Sequence, residues 1–115
     1  MSEKDEGNIA AIVDAAGKII WYAKDFLDAD SLYADQRSFD AILMNFVIMG
    51  ETVTKLSETT QLAHPKVPWS KIRGLRNIVA HDYFGVDAEE IWEIIQNHIP
   101  ELQTDLQAIL NKKSG

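Results

Sequence analysis

The chain has no cysteine, only three prolines and no long apolar run. Without cysteine there is no disulfide framework and no thiolate metal site, which fits a reducing compartment. No stretch approaches the roughly 18 uninterrupted apolar residues of a membrane-spanning helix. The opening "MSEKDEGN" is acidic and polar, so it lacks the basic and apolar regions of a secretory leader. A cytoplasmic protein with no membrane contact is the expectation. A further absence is local. Residues 59–81 contain neither Asp nor Glu, although the chain carries a formal net charge of −7. That total argues against a protein that coats nucleic acid non-specifically. It does not exclude a small cationic site, because net charge is a sum and a site is a place. The acid-free window holds His64, Lys66, Lys71, Arg73, Arg76 and His81.

A chain of 115 residues fits one domain, spanning 1–115 with a core over about 9–110 and polar tails. Ile9, Ile12, Val13, Ala16, Ile19, Ile20, Ala23 and Phe26 recur at steps of three and four, which predicts an amphipathic helix. "DADSLYADQR" interrupts the pattern, offers Asp28, Asp30 and Ser31 as caps, and has room for a short helix. A second long helix carries Phe39, Ile42, Leu43, Phe46, Val47, Met49, Val53 and Leu56, with Gly50 inside it. An interior glycine costs roughly 1 kcal/mol relative to alanine, so close helix packing is expected there. "SETTQLAHPKVP" reads as a connection, and Pro68 suits the first turn of a helix over about 69–81. "YFGVD" breaks that helix at Gly85. Asp87 with Glu90 forms a capping-box-like start to the next, which Pro100 interrupts or restarts before Leu102, Leu106, Ile109 and Leu110. With no convincing strand alternation, the reading is an all-α antiparallel bundle of four to six helices.

The stretch "RGLRNIVAHDYFGVD" concentrates the chemistry. On a wheel of about 100° per residue, Arg73, Asn77, Ser70 and His81 cluster, with Arg76 to one side and Gly74 leaving space at the other. Ile72, Leu75 and Val79 fall opposite, toward the bundle. Arg76 and His81 diverge by about 140° and about 7.5 Å of rise. They would therefore grip a common ligand from two sides rather than touch. Histidine can donate or accept a proton near neutrality, and the planar donor fork of arginine matches phosphate oxygens. This pair could cleave RNA without a metal. His81 would take the 2′-hydroxyl proton or protonate the leaving oxygen, Arg76 would stabilise the extra charge on the pentavalent phosphate, and Asn77 could orient either partner. Taken alone, the same residues also make an ordinary solvated helix face.

"RNIVAHDY" fits an Arg-x4-His-x-Tyr motif, entered by "VPW" and left by "FGVD", and "FDAILMNFVIMGETVTKLS" lies upstream with its Gly50–Glu51 pair. On these residues the chain resembles HEPN-domain proteins, specifically their HepT-like branch, over about residues 9–110. The resemblance implies a helical homodimer whose motif helices meet across the interface, which would supply a second histidine. It implies the toxin of a toxin–antitoxin pair acting as a metal-independent endoribonuclease, with Arg76 and His81 catalytic and Asn77 supporting. Arg73, Ser70 and Lys71 are further candidates for binding RNA. The usual partner is a small nucleotidyltransferase, which can transfer AMP to the motif tyrosine, here Tyr83, and silence the toxin by bulk and charge. Asp82, between His81 and Tyr83, would modulate the site. The alternative is a non-catalytic binding subunit, or a modification target, of that partner.

Other patterns carry less. His64, His81 and His98 lie 17 residues apart, a spacing that fits no ligand motif, so no metal or other cofactor is expected. His64 reads as a loop residue and His98 as a helix-end residue. Trp21, Trp69 and Trp92 could stack bases but are more simply core or interface residues, with Trp92 expected in the core. The acidic run Asp87, Glu89, Glu90 and Glu93 reads as a helix start that favours negative charge.

Overall fold

The structure, a computed structural model, describes residues 1–82 and 87–114. Among the described residues it is all helix: α1 (Glu3–Ala23), α2 (Ala29–Ala34), α3 (Gln36–Val53), α4 (Glu58–Ala63), α5 (Trp69–Asp82), α6 (Ala88–Asn97) and α7 (Ile99–Ser114). The all-α expectation holds, with one helix more than its upper count. The addition is α4, inside the segment expected as a connection, where the Ser57 hydroxyl caps the helix by accepting from Thr60 N at 3.2 Å. Gly85 lies outside the described residues.

Local chemistry sets the boundaries. α1 begins at Glu3, earlier than its apolar pattern, because Ser2 caps it by accepting from Asp5 N at 3.0 Å and three acids fill the first turn. Residues expected as a polar tail are thus helical. The short helix after α1 exists, and Asp28 rather than Asp30 caps it. The Asp28 carboxylate accepts from Ser31 N at 2.8 Å, while Ser31 Oγ accepts in return from Asp28 N. Asp35 caps α3, and Asp87 caps α6 as expected, accepting from Glu90 N at 3.0 Å. Pro100 restarts the chain as α7, and the intervening His98 is the C-cap of α6, donating N–H to Ile94 O at 3.0 Å.

α1 is central. Its buried strip of Ile9, Ile12, Ala16 and Ile19 packs against α3 on one side and α7 on the other. Phe39, Ile42, Phe46 and Met49 answer from α3, and Leu102, Leu106 and Ile109 from α7. α6 adds Ile91 and Ile95, whereas Trp92 is only half-buried and packs on the edge of the core. No helix among the described residues is long and apolar enough to cross a membrane.

A buried carboxylate pins the ends of this arrangement. Asp5, near the start of α1, accepts from Ser57 N at 3.1 Å, from Thr60 Oγ1 at 2.6 Å and from Ser57 Oγ. The start of α1 therefore lies at the end of α3, which makes the two helices antiparallel. The Ser57 and Thr60 hydroxyls hold the Asp5 carboxyl below the usual aspartate range, outweighing the opposing effect of burial.

Candidate nucleic-acid interface

The helix with the Arg/His motif is anchored at its start. The Pro68 carbonyl, just ahead of the first helical residue, accepts from Lys71 N at 3.0 Å and Ile72 N at 3.1 Å. Trp69 is buried, and its indole N–H is shared between the Gln61 carbonyl at 3.1 Å and the His64 carbonyl at 3.0 Å. Both carbonyls lie at the end of α4 and also accept backbone N–H groups, from His64 and Val67 respectively, so Trp69 ties the end of one helix to the start of the next. Its ring serves packing, not base stacking. His64 is the C-cap of α4.

α5 then leans on α3 at Gly50. A Cβ on Gly50 would stand 2.9 Å from Arg73 O, 3.0 Å from Arg76 N and 3.1 Å from Arg76 Cβ. Only a glycine lets the two backbones meet so closely, which is the close packing expected of an interior glycine. The wheel division of α5 is observed. Ile72 and Leu75 are buried and Val79 is half-buried, while Ser70, Asn77 and His81 are exposed and Arg73 and Arg76 half-exposed.

The contact also brings in a residue that sequence reasoning did not place in the site. Glu51, next to Gly50, accepts from Arg76 Nη1 at 2.9 Å. The acid-free window of the sequence is therefore not acid-free in space. The only signal for this in the chain was the Gly50–Glu51 pair itself. Arg73 Nη2 makes a longer contact with Gln61 Oε1 at 3.4 Å, at the weak end of hydrogen-bond geometry. The open strip thus holds one steered guanidinium (Arg76), one loosely held guanidinium (Arg73), an amide (Asn77) and an imidazole (His81). Anionic oxygen ligands suit this set, and His81 adds a group able to move a proton.

The remaining expected residues lie around this strip. Ser70 is exposed at its start. Lys71 lies on the other flank of α5, at a cleft facing α7. Tyr83 lies outside the described residues. Among the described residues, no three of His, Asp and Glu converge as a metal-ligand set. On α3, Met44 and Ile48 share the flank of Glu51 and are 59% and 40% exposed, leaving two large apolar side chains uncovered beside the Arg76–Glu51 pair. Trp21, 62% exposed on α1, stands edge-on to Tyr22 with Lys24 over its ring.

Comparison with known proteins gives this geometry a family. The family model described as "Ribonuclease HepT-like" matches residues 12–109. A protein of Caldanaerobacter subterraneus, provisionally named an RNase, is 41% identical over 73 residues, 64% of this chain and 65% of that one. A protein of Methanocaldococcus jannaschii, with the same provisional name, is 27% identical over 110 residues, 95% of this chain and all of its own length. A protein of Thermococcus cleftensis, provisionally named a ribonuclease HepT, is 25% identical over 103 residues, covering 90% of this chain and 93% of its own. No solved structure matches. With nearly its whole length covered by that model, and with the Arg-x4-His strip exposed on α5, the chain belongs to the HepT-like ribonuclease family.

Proposed function

We propose that this protein is a metal-independent endoribonuclease and the toxin of a toxin–antitoxin pair, cutting RNA with Arg76 and His81. The supporting observation is the solvent-open strip of α5, where a guanidinium steered by Glu51 and an exposed imidazole stand on either side of Arg73 and Asn77. In the proposed reaction His81 accepts the 2′-hydroxyl proton of a ribose. The 2′-oxygen attacks the adjacent phosphorus, the bond to the 5′-oxygen breaks, and that oxygen takes up a proton. The products are a 2′,3′-cyclic phosphate and a 5′-hydroxyl. Arg76 balances the charge that builds on the phosphoryl oxygens, and Asn77 orients the substrate or the imidazole. Arg73 and Ser70 contact the RNA backbone, with Lys71 as an outlying cation.

One chain offers one histidine to a reaction with two proton transfers. A homodimer in which two α5 strips face each other would supply the second. The exposed pair Met44 and Ile48, on the flank of Glu51, supports that assembly, because covering it would bury apolar surface on the side of the Arg76–Glu51 pair. The proposed regulator is a small nucleotidyltransferase that places AMP on Tyr83.

A second reading keeps one specific observation on its side. Glu51 sits against Arg76, so a carboxylate stands where a phosphate would approach. In that reading the chain is a non-catalytic binding subunit, or modification target, of the nucleotidyltransferase. Expression of the wild type beside Arg76→Ala and His81→Ala separates the two. Growth arrest and RNA cleavage by the wild type alone supports the nuclease. Identical behaviour by all three supports the binding subunit. Co-expression with the nucleotidyltransferase should add AMP mass to the intact protein, and Tyr83→Phe should abolish the addition.

A further inference from the structure

Gly7, Gly17, Gly50 and Gly74 lie inside long helices, and packing within the chain explains two of them: Gly17, where a Cβ would stand 3.0 Å from the Gln103 amide nitrogen, and Gly50. Gly50 admits the α5 backbone. Gly74, in the middle of α5, has no neighbour among the described residues within 4 Å of where its Cβ would stand. An interior helical glycine costs roughly 1 kcal/mol relative to alanine, so this position bears a cost with no intramolecular return. Gly7 also meets no described residue within 4 Å, but it is exposed in the second turn of α1, near the helix end.

Gly74 opens onto a cleft of about 570 Å³ between α5 and the α6–α7 arm. Its floor is apolar, made by Leu75 and Leu102, both buried, with Ile78 and Ile94 half-buried. Its two lips carry opposite charge. Lys66 and Lys71 stand on the α5 side, and Glu101 and Asp105 on the α7 side. Among the described residues no ion pair joins the lips, so four charged groups face one another across an apolar trough and none is neutralised by another.

The spacing identifies the shape of the missing neighbour. α5 presents residues 71, 74, 75 and 78, and the α6–α7 junction presents 98, 101, 102 and 105. Both sets follow i, i+3, i+4, i+7, the pattern of a helix packing on a helix. Each strip is about 10 Å long, or two turns. A single-stranded nucleic acid is poorly served here, since two carboxylates repel phosphate and no Phe, Tyr or Trp lines the cleft to offer a stacking platform. We propose that this groove seats an amphipathic helix of a different protein, crossing α5 closely at Gly74 as α3 does at its own glycine. That helix would carry an apolar i, i+3, i+4, i+7 stripe. Acidic residues would flank it beside Lys66 and Lys71, and basic residues beside Glu101 and Asp105. The inference stands apart from the ribonuclease reading.

The test uses the full chain and two synthetic helical peptides with the same leucine stripe. One carries Glu and Lys flanks matched to the lips, and the other has them exchanged. Fluorescence anisotropy should show the matched peptide binding at least about tenfold tighter. Gly74→Leu fills the groove and should lose at least about tenfold in peptide affinity, with a melting temperature equal to or above wild type because leucine favours the helix. Lys71→Glu combined with Asp105→Lys should reverse the preference between the peptides. Equal binding of both peptides, or undiminished binding by Gly74→Leu, would overturn the proposal. So would a steep loss of stability in Gly74→Leu, which would show an internal role for the glycine. A Gly74→Leu protein that instead loses self-association makes the occupant a second copy. One that instead loses affinity for an RNA oligonucleotide makes it RNA. Either result overturns the assignment to another protein's helix.

Discussion

Two carboxylates tie helices together in this chain, and they do so differently. Asp5 is buried and receives two hydroxyls and a backbone N–H at the junction of α1 with α4. Glu51 is half-exposed and meets one guanidinium at the seam of α3 with α5. At the first junction the carboxylate is the tie. At the second the backbones already touch at Gly50, and the ion pair adds little to stability, because solvent screens it and two side chains must be held still. A carboxylate not needed for folding is free to steer Arg76. The comparison therefore separates an acid that ties the fold from one that only orients a neighbouring side chain.

That distinction can be broken from either side. The largest expected effect is at the seam's backbone contact. Gly50→Val would drive its side chain into Arg73 O and the backbone of Arg76, and should cost about 3 kcal/mol in urea unfolding while displacing the motif. A milder loss would mean that α5 can shift freely on α3. Next comes Asp5→Ala, which strands Ser57 and Thr60 and should cost about 2 kcal/mol, with cleavage per folded molecule unchanged.

The same acid predicts a pH dependence. Its pKa is lowered in the fold, so its contribution is fully present above the ordinary aspartate value and is lost as pH falls through the lower, folded value. Thermal midpoints should drop on acidification below about pH 4, and Asp5→Asn should flatten that slope. The smallest stability effect belongs to Glu51→Gln, within about 1 kcal/mol of wild type. Its RNA cleavage should nonetheless change clearly if the pair steers Arg76. A variant equal to wild type in both respects would return Glu51 to the ordinary solvated surface.

How much of this was legible in the sequence follows the physics. The long helices were, because Ile9, Ile12, Ala16 and Ile19 or Phe39, Ile42, Phe46 and Met49 repeat at helical spacing and the repeat is what buries them. So was the split of α5, since a wheel fixes which residues share a face. α4 was missed because its six residues are too few to show periodicity and depend on one cap. Trp92 lies shallower than its apolar pattern implied, half-buried on the edge of the core, because a repeat fixes a residue's face but not how far a neighbour covers it. The role of Glu51 was invisible for a related reason. It lies 25 residues from Arg76, and only the crossing at Gly50 joins them.

Everything proposed for the α5 strip turns on RNA cleavage by Arg76 and His81. Its most direct test incubates purified, metal-free wild type, Arg76→Ala and His81→Ala with a defined RNA, after circular dichroism confirms that all three are folded. The wild type should release fragments ending in a 2′,3′-cyclic phosphate in the presence of a chelator, with a loss of at least about 100-fold in rate in each variant. Cleavage that persists in His81→Ala would contradict it.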